Sequence, residues 1–363
     1  MKTITDIFRS FGPEYIERYK YRMPLIHQKV MESMIECRTS ESGIVIYKCK
    51  DCGDIYQIYR SCGNRHCPQC QHHKTVMWIE KQFERRLPGH HFMITFTVPK
   101  QIRAFIRSHQ TTSYNAMFKA SSEALKKLAA DEKFIGGDLP GFMGVLHTWG
   151  RQLTYHPHIH YIVPGGAISR HDQRWHPSRQ DFYVPVKALS KIYKAKFRDA
   201  MIDAGMDNMI TPDVWYADWI VNIQAVGNSE ASIRYLSPYI FKVAISNSRI
   251  VRVEKRSITF KYKKSNSNRW RHITLDAMEF IRRFLQHVLP TGFMKIRYYG
   301  FLHPCSSISL EDVRIRIHIS YGFRLRDIQI ETEQLSIPVC PSCGGNLIHF
   351  VSILPNKFVL RSG

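Results

Sequence analysis

Apolar positions recur at helical spacing from the start of the chain to about residue 45, with Pro24-Leu25-Ile26-His27-Gln28-Lys29-Val30-Met31 inside the stretch, and the pattern stops at Ser42-Gly43. That predicts helix. Residues 49–73 break the pattern: they are polar, turn-rich and crowded with cysteine, as in a loop-like module organised by metal rather than by an apolar core. From 91 the period changes. His91 to Val98 reads as a strand, about 101–130 as helix, and Phe142 to Trp149 and His156 to Val163 as two strands close in sequence. Lys187 to Met201 is helical again and Asp218 to Val226 is a strand. Asn228-Ser229-Glu230 then offers an N-cap for a further helix. Short basic strands at Ile258 to Lys263 and His272 to Leu275 lead into a helix over Asp276 to Val288, and the last 70 or so residues carry the least pattern.

The order β-α-β-β-α-β-α predicts an α+β fold with helices packed on an antiparallel sheet. Three regions follow: a helical and cysteine-rich region over 1–90, a mixed α/β domain over 91–250, and a basic C-terminal region over 251–363. No run approaches the length of apolar chain a membrane helix needs, and the N-terminus lacks the apolar stretch of a signal peptide, which predicts a cytosolic protein with no membrane partner.

Charge narrows the partner. Lys and Arg total 52 against 30 Asp and Glu, a formal net charge of +22. Basic residues alternate with aromatics over 15–22, 256–271 and 282–299, which suits phosphate contacts beside base stacking, so nucleic acid is the expected partner.

Two short motifs carry chemistry. His158 and His160 stand two apart on a predicted strand, so both imidazoles face one side within reach of a single cation, while Ile159 and Tyr161 face the other. Gln152 has the same parity and offers an oxygen as a third ligand, while His156 competes for the role. Such a site leaves positions open for water or phosphate oxygen and accepts Mg²⁺ or Mn²⁺. Tyr235 and Tyr239, four apart, share one helical face with Lys242, although Pro238 disturbs that helix. A phenol near pKa 10 needs a nearby ammonium or a metal-bound phosphate to become a nucleophile. Taken singly, the first motif also fits a structural pair and the second a core face.

Together they resemble a known family. HPHIHYIVPGG (156–166), followed by YLSPYIFKVAISNSRI (235–250), is similar to the rolling-circle transposases of the insertion-sequence-91 family, two-tyrosine members of the HUH endonuclease superfamily. The resemblance extends to SCGNRHCPQCQ (61–71), GVLHTWGRQLTYHPHIH (144–160), EFIRRFLQHVLPTGFMKIRYYGFL (279–302) and CPSCGG (340–345). It implies a ferredoxin-like antiparallel sheet with the histidines on a central strand and a tyrosine helix alongside. It further implies that His158 and His160 bind the catalytic divalent metal, with Gln152 at the spacing of a third polar ligand. Tyr235 and Tyr239 become the nucleophiles, supported by Lys242. The implied reaction nicks and rejoins single-stranded DNA at the element's ends and in target DNA, through a 5′-phosphotyrosine intermediate.

Cys49-x-x-Cys52 and Cys67-x-x-Cys70, fourteen residues apart, have zinc-ribbon spacing and are expected to hold a structural Zn²⁺, with Cys62, His66, His72 and His73 as competing ligands. As in the family's N-terminal domain, that zinc would present Arg60, Arg65 and Lys74 to DNA. Cys340-x-x-Cys343 is half of a second site, which His303 and Cys305 are placed to complete, and Cys37 reads as a core cysteine. No phosphate loop of the GxxxxGK[ST] kind is present, so strand separation falls to host replication or helicase factors. The setting is the bacterial nucleoid, and the oligomeric state, a homo-oligomer included, is open. Two other readings share these motifs: a replication initiator or relaxase, and a non-catalytic zinc-dependent DNA-binding protein.

Overall fold

Thr3 opens the first helix with a reciprocal cap: its side-chain oxygen accepts from the Asp6 N–H, and the Asp6 carboxylate accepts from the Thr3 N–H, both at 3.1 Å. The structure, a computed structural model, describes residues 3–228, 230, 231, 233, 244–264, 267, 269–322 and 339–354, the side chains of His72 and His73 excepted. In chain order, α1 (Ile4–Tyr19) and α2 (Leu25–Glu36) precede β1 (Ile44–Cys49) and β2 (Ile55–Tyr59). Next come α3 (Gln71–Glu84), β3 (His90–Thr97), α4 (Arg103–Ser108) and α5 (Gln110–Ala129). The hairpin β4 (Phe142–Trp149) and β5 (Tyr155–Pro164) is followed by the small hairpin β6 (Gly166–Ile168) and β7 (Trp175–Pro177), then α6 (Val186–Asp203) and β8 (Ile220–Asn228). The meander β9 (Ile250–Glu254), β10 (Ser257–Lys263) and β11 (Trp270–Asp276) runs into α7 (Ala277–Leu285), and β12 (Ile296–Tyr299), α8 (Leu310–Tyr321) and β13 (Leu347–Ile353) complete the described chain.

Two long predicted helices are each divided. The first breaks at residues 20–24, where Pro24, which cannot donate a helical hydrogen bond, takes the N-cap of α2. The second breaks at His109, whose φ of −120° and ψ of 51° leave the helical region between α4 and α5.

The chain folds into two compact units that are not consecutive segments and so cut across the expected boundaries at 90 and 250. One gathers Met1–Met77, Phe241–Val288 and Glu331–Gly363, and the other Trp78–Ile240 and Leu289–Ile330. In the first unit α1 meets α7 through Phe8 and Phe284, whose rings stand edge to face at 5.0 Å. Arg256 clamps Glu14 with two hydrogen bonds of 2.8 and 2.9 Å, and the Ile4 N–H donates to Asn247 Oδ1 at 2.9 Å, so the 241–288 segment is stitched to α1. Its two sheets are three-stranded, in the orders β13-β1-β2 and β11-β10-β9.

The second unit is built on a five-stranded antiparallel sheet of order β12-β4-β5-β3-β8, with β5 in the middle. Alternation along its strands divides the two faces. Ile159, Tyr161 and Val163 of β5, with Ile94 and Phe96 of β3 and Leu146 of β4, join Phe118 and Leu125 of α5 and Tyr193 and Phe197 of α6 in one buried core. This is the mixed α+β architecture expected, with helices on an antiparallel sheet. Among the described residues, no helix is long and apolar enough to cross a membrane.

One glycine makes the central pairing feasible. Gly144 on β4 lies opposite Tyr161 on β5, and a Cβ added there would overlap the Tyr161 ring. Tyr161 is fully buried, with Phe96 and Phe142 edge-on to it and its hydroxyl 2.7 Å from Ser121 Oγ, so the ring cannot withdraw cheaply. Gly144→Ala is therefore expected to destabilise the protein by about 1–3 kcal/mol. Urea unfolding checks this, and a midpoint equal to that of the wild type would contradict the close packing.

Candidate metal centre

The face of β5 opposite the core carries the histidines. His158 and His160 alternate with the buried Ile159 and Tyr161, as the period of two requires. Pro157, which has no N–H to give to a ladder, lies just beyond the last β3 partner, Thr97 opposite His158. There the β4 ladder also shifts, between His147 and Trp149. β4 sets His147 directly opposite His158 and Val145 opposite His160. The ring of His147 thus stands 5.4 Å from that of His158 and 4.7 Å from that of His160, with 4.8 Å between the latter two. One ring nitrogen from each of the three lies within 4.8 Å of the others.

Hydrogen bonds orient these imidazoles. His158 Nδ1 is 2.7 Å from the His156 carbonyl oxygen, which can only accept, so this nitrogen carries the proton and Nε2 keeps the lone pair a metal needs. Thr95 Oγ1 stands 2.9 Å from His160 Nδ1 and fixes that ring from β3. Burial keeps His158 and His160 neutral: it pushes His158 from 6.5 to about 4 and His160 well below 6.5, with neighbouring positive charge adding to the effect. Three imidazoles converging from two paired strands are a fit donor set for a divalent cation.

Arg103, in the first turn of α4, also acts on this site. Its charge depresses both His156 and His158, and its own pKa is lowered by partial burial, which marks a guanidinium held in poorly solvated surroundings beside the histidines. A cation so placed suits a phosphate. Neither His147 nor Arg103 was expected from the sequence. His147 has no second histidine two positions away on its own strand, and only the β4–β5 register brings it opposite His158.

Gln152 is placed differently from the expectation. β5 begins at Tyr155, and Gln152 lies in the turn before it, where Gly150 N–H donates to the Thr154 carbonyl at 2.8 Å and Leu153 takes a φ of 58°. Strand parity therefore does not extend to Gln152, and His147 supplies the third imidazole. Tyr235, Tyr239 and Lys242 lie outside the described residues. Of the basic residues expected near DNA, Lys74 is exposed on α3, and Arg60 and Arg65 are half-buried.

The cysteines also regroup. The set Cys49, Cys52, Cys67 and Cys70 is not assembled: among the described residues, Cys37, Cys62, Cys67 and Cys70 form one cluster, and Cys49, Cys52, Cys340 and Cys343 another. In the first, Cys37 and Cys62 sulfurs each lie 3.5 Å from Cys70 Sγ, and Cys67 Sγ lies 3.8 Å from Cys37 Sγ. Sulfurs about 2.3 Å from a tetrahedral zinc stand about 3.8 Å apart, so this spacing fits zinc and is far too long for a disulfide. Cys37 is a cluster member rather than a core cysteine, because α2 ends against the second knuckle. His303 and Cys305 do not complete the Cys340–Cys343 half-site. They sit in the other unit, where His303 Nδ1 accepts from the Cys305 N–H at 3.1 Å.

Neutral burial has a consequence for stability. His158, and His91 on β3, have folded pKa values of about 4 against an ordinary value of 6.5, both mainly through loss of hydration. Between about pH 6.5 and 4 the unfolded chain binds more protons, so stability falls as pH falls. From pH 7 to 5, without added divalent metal, unfolding free energy is expected to drop by on the order of 1–3 kcal/mol. The drop should be shallower in His158→Asn. Denaturant titration at the two pH values checks it, and equal slopes in the two proteins would contradict neutral burial of this ring.

Comparison with known proteins agrees with these features. Residues 7–98 match the family model described as “Transposase zinc-binding domain”, which contains the first cysteine cluster, and residues 141–309 match the model described as “Putative transposase”, which contains His147, His158 and His160. The protein named “Putative transposase y4qJ” of Sinorhizobium fredii is 33% identical over 319 residues, covering 82% of this chain and 80% of that one. The transposase for insertion sequence element IS801 of Pseudomonas savastanoi pv. phaseolicola is 27% identical over 303 residues, covering 76% of this chain and 70% of its own. No solved structure matches. With both transposase models matched in order and identity of 33% sustained over four-fifths of a relative's length, the chain belongs to the insertion-sequence-91 family of transposases.

Proposed function

We propose that this transposase nicks and rejoins single-stranded DNA at the ends of its element by rolling-circle chemistry, with His147, His158 and His160 holding the catalytic cation and Tyr235 and Tyr239 as nucleophiles. The observation that carries the reading is the convergence of three imidazoles, from the central strand β5 and its neighbour β4, on one face of the sheet. Mn²⁺ suits three nitrogens better than Mg²⁺, which prefers oxygen ligands, and such an ion supplies Lewis-acid polarisation of the scissile phosphate. Arg103 adds positive charge for the same phosphate. A tyrosine phenolate attacks phosphorus, a new bond forms between phosphorus and the phenolic oxygen, and the bond to the 3′ oxygen breaks. The 3′ oxygen leaves as a hydroxyl after taking a proton. The phosphodiester's energy is kept in the 5′-phosphotyrosine, so attack by a 3′-hydroxyl reverses the step and rejoins DNA. Two tyrosines allow two such transfers in succession, with Lys242 favouring the phenolate.

The net charge of +22 supports a DNA partner. So does the outward face of β10 and β11, where the half-exposed Trp270 has Lys261 and Lys263 ammonium groups 5.2 and 5.4 Å from its ring centroid, an arrangement suited to stacking a base beside phosphates. Arg60, Arg65 and Lys74 extend the contact from the zinc-binding region. Host helicase or replication factors open the duplex, target DNA receives the strand, and the setting is the bacterial nucleoid.

Incubation with single-stranded oligonucleotides carrying element ends and Mn²⁺ is expected to give a covalent protein–DNA adduct on a denaturing gel. Absence of adduct with any divalent metal would overturn the reading. His158→Ala and His147→Ala are each expected to lower adduct formation at least a hundredfold, on the order of removing a group that orients the reaction, while DNA binding stays within a few-fold because its charge term is spread over many residues. Tyr235→Phe and Tyr239→Phe separate the nucleophiles, and an adduct that survives in the double variant contradicts tyrosine chemistry.

A further inference from the structure

We propose that Cys49, Cys52, Cys340 and Cys343 bind a structural zinc ion of their own, separate from the one at Cys37, Cys62, Cys67 and Cys70, and that this ion clasps the C-terminal strand to the first sheet of the chain. Two of its ligands lie beyond both matched family models, which end at residues 98 and 309, so neither assigns it.

The two half-sites are built alike. Each is Cys-x-x-Cys-Gly, and the glycine after the second cysteine is left-handed in both, with φ of 77° at Gly53 and 76° at Gly344, a conformation that other residues rarely adopt. In each, the first cysteine's N–H donates to the carbonyl five residues on: Cys49 to Asp54 at 2.8 Å and Cys340 to Gly345 at 2.7 Å. These turns bring both sulfurs of a knuckle to one side. The knuckles then face each other, with Cys49 Sγ 3.5 Å from Cys343 Sγ and Cys52 Sγ 3.6 Å from Cys340 Sγ, close to the separation four thiolates take around zinc.

The backbone fixes that meeting independently of the sulfurs. β13 pairs antiparallel with β1 from Ile44 opposite Ile353 to Cys49 opposite Leu347, delivering the C-terminal knuckle next to Cys49. Lys50 N–H donates to the Asn346 carbonyl at 3.1 Å, and the Tyr56 hydroxyl reaches Ser342 Oγ at 2.7 Å. At Gly345 an added Cβ would meet the Asp51 carboxylate, so the two turns lie in direct contact. Cys49, Cys340 and Leu347 are buried together against Tyr47 and Tyr56, while Cys52 and Cys343 face solvent, which gives zinc a route in. Cysteines 288 and 294 residues apart in sequence thus close a loop that takes in most of the chain, and a clip on a long loop removes the most freedom from the unfolded state.

Zinc per chain, measured by mass spectrometry of the purified full-length protein after dialysis against a weak chelator, tests this without reference to transposition. Cys340→Ser/Cys343→Ser and Cys49→Ser/Cys52→Ser are each expected to lose one zinc relative to wild type, and the quadruple variant to lose one as well, since both pairs serve one ion. Loss of two in the quadruple variant, or none in the C-terminal pair, overturns the proposal. Should the variants not fold, the wild-type protein decides: during graded chelation with alkylation, read by peptide mass spectrometry, all four cysteines are expected to become reactive in one phase. Alkylation of Cys340 and Cys343 before chelation begins, or in a phase separate from Cys49 and Cys52, overturns it.

Discussion

The candidate centre depends on the register between β4 and β5. His147 meets His158 because Leu146 pairs with Ile159 and Gly144 with Tyr161, so the same ladder that fills the core turns the imidazoles to the other face. A slip of one residue would send His147 into the core and Leu146 out of it, at a cost no sheet of this kind would bear. The core therefore specifies how the three histidines are arranged. Tyr161 holds the register most firmly, being fully buried among aromatic rings, tied to Ser121 and accommodated only by the missing side chain at Gly144.

This explains what could be read from the sequence and what could not. His158 and His160 were legible because the period of two is local: any strand through them puts both on one side. His147 was not, since its partner lies eleven residues on across a turn, and the quantity that joins them is a pairing register that no single strand encodes. Gln152 drew attention by parity, but parity lapses where Leu153 turns left-handed and the strand has yet to begin. The mixed fold was legible from alternating periods. The two compact units were not, because the 241–288 segment returns to α1 through Phe284, Arg256 and Asn247, and such returns leave no trace in local patterning.

The cysteines teach the same lesson more sharply. Spacing identified every Cys-x-x-Cys pair, and pairing the two nearest was reasonable because adjacent knuckles commonly share an ion. The fold instead gives each knuckle a partner from elsewhere: Cys37 at the end of α2 together with Cys62 for one, and the C-terminal turn for the other. What spacing cannot reveal is that β1 still has an open edge for β13 to occupy. Sheet completion, rather than sequence proximity, decides which sulfurs meet.

Pulsed electron paramagnetic resonance of the Mn²⁺-loaded protein, with histidine labelled by ¹⁵N, examines the centre directly by counting the imidazole nitrogens coupled to the ion. Three couplings are expected in the wild type and two in His147→Ala. Two couplings in the wild type, unchanged by that substitution, would contradict a site shared between β4 and β5.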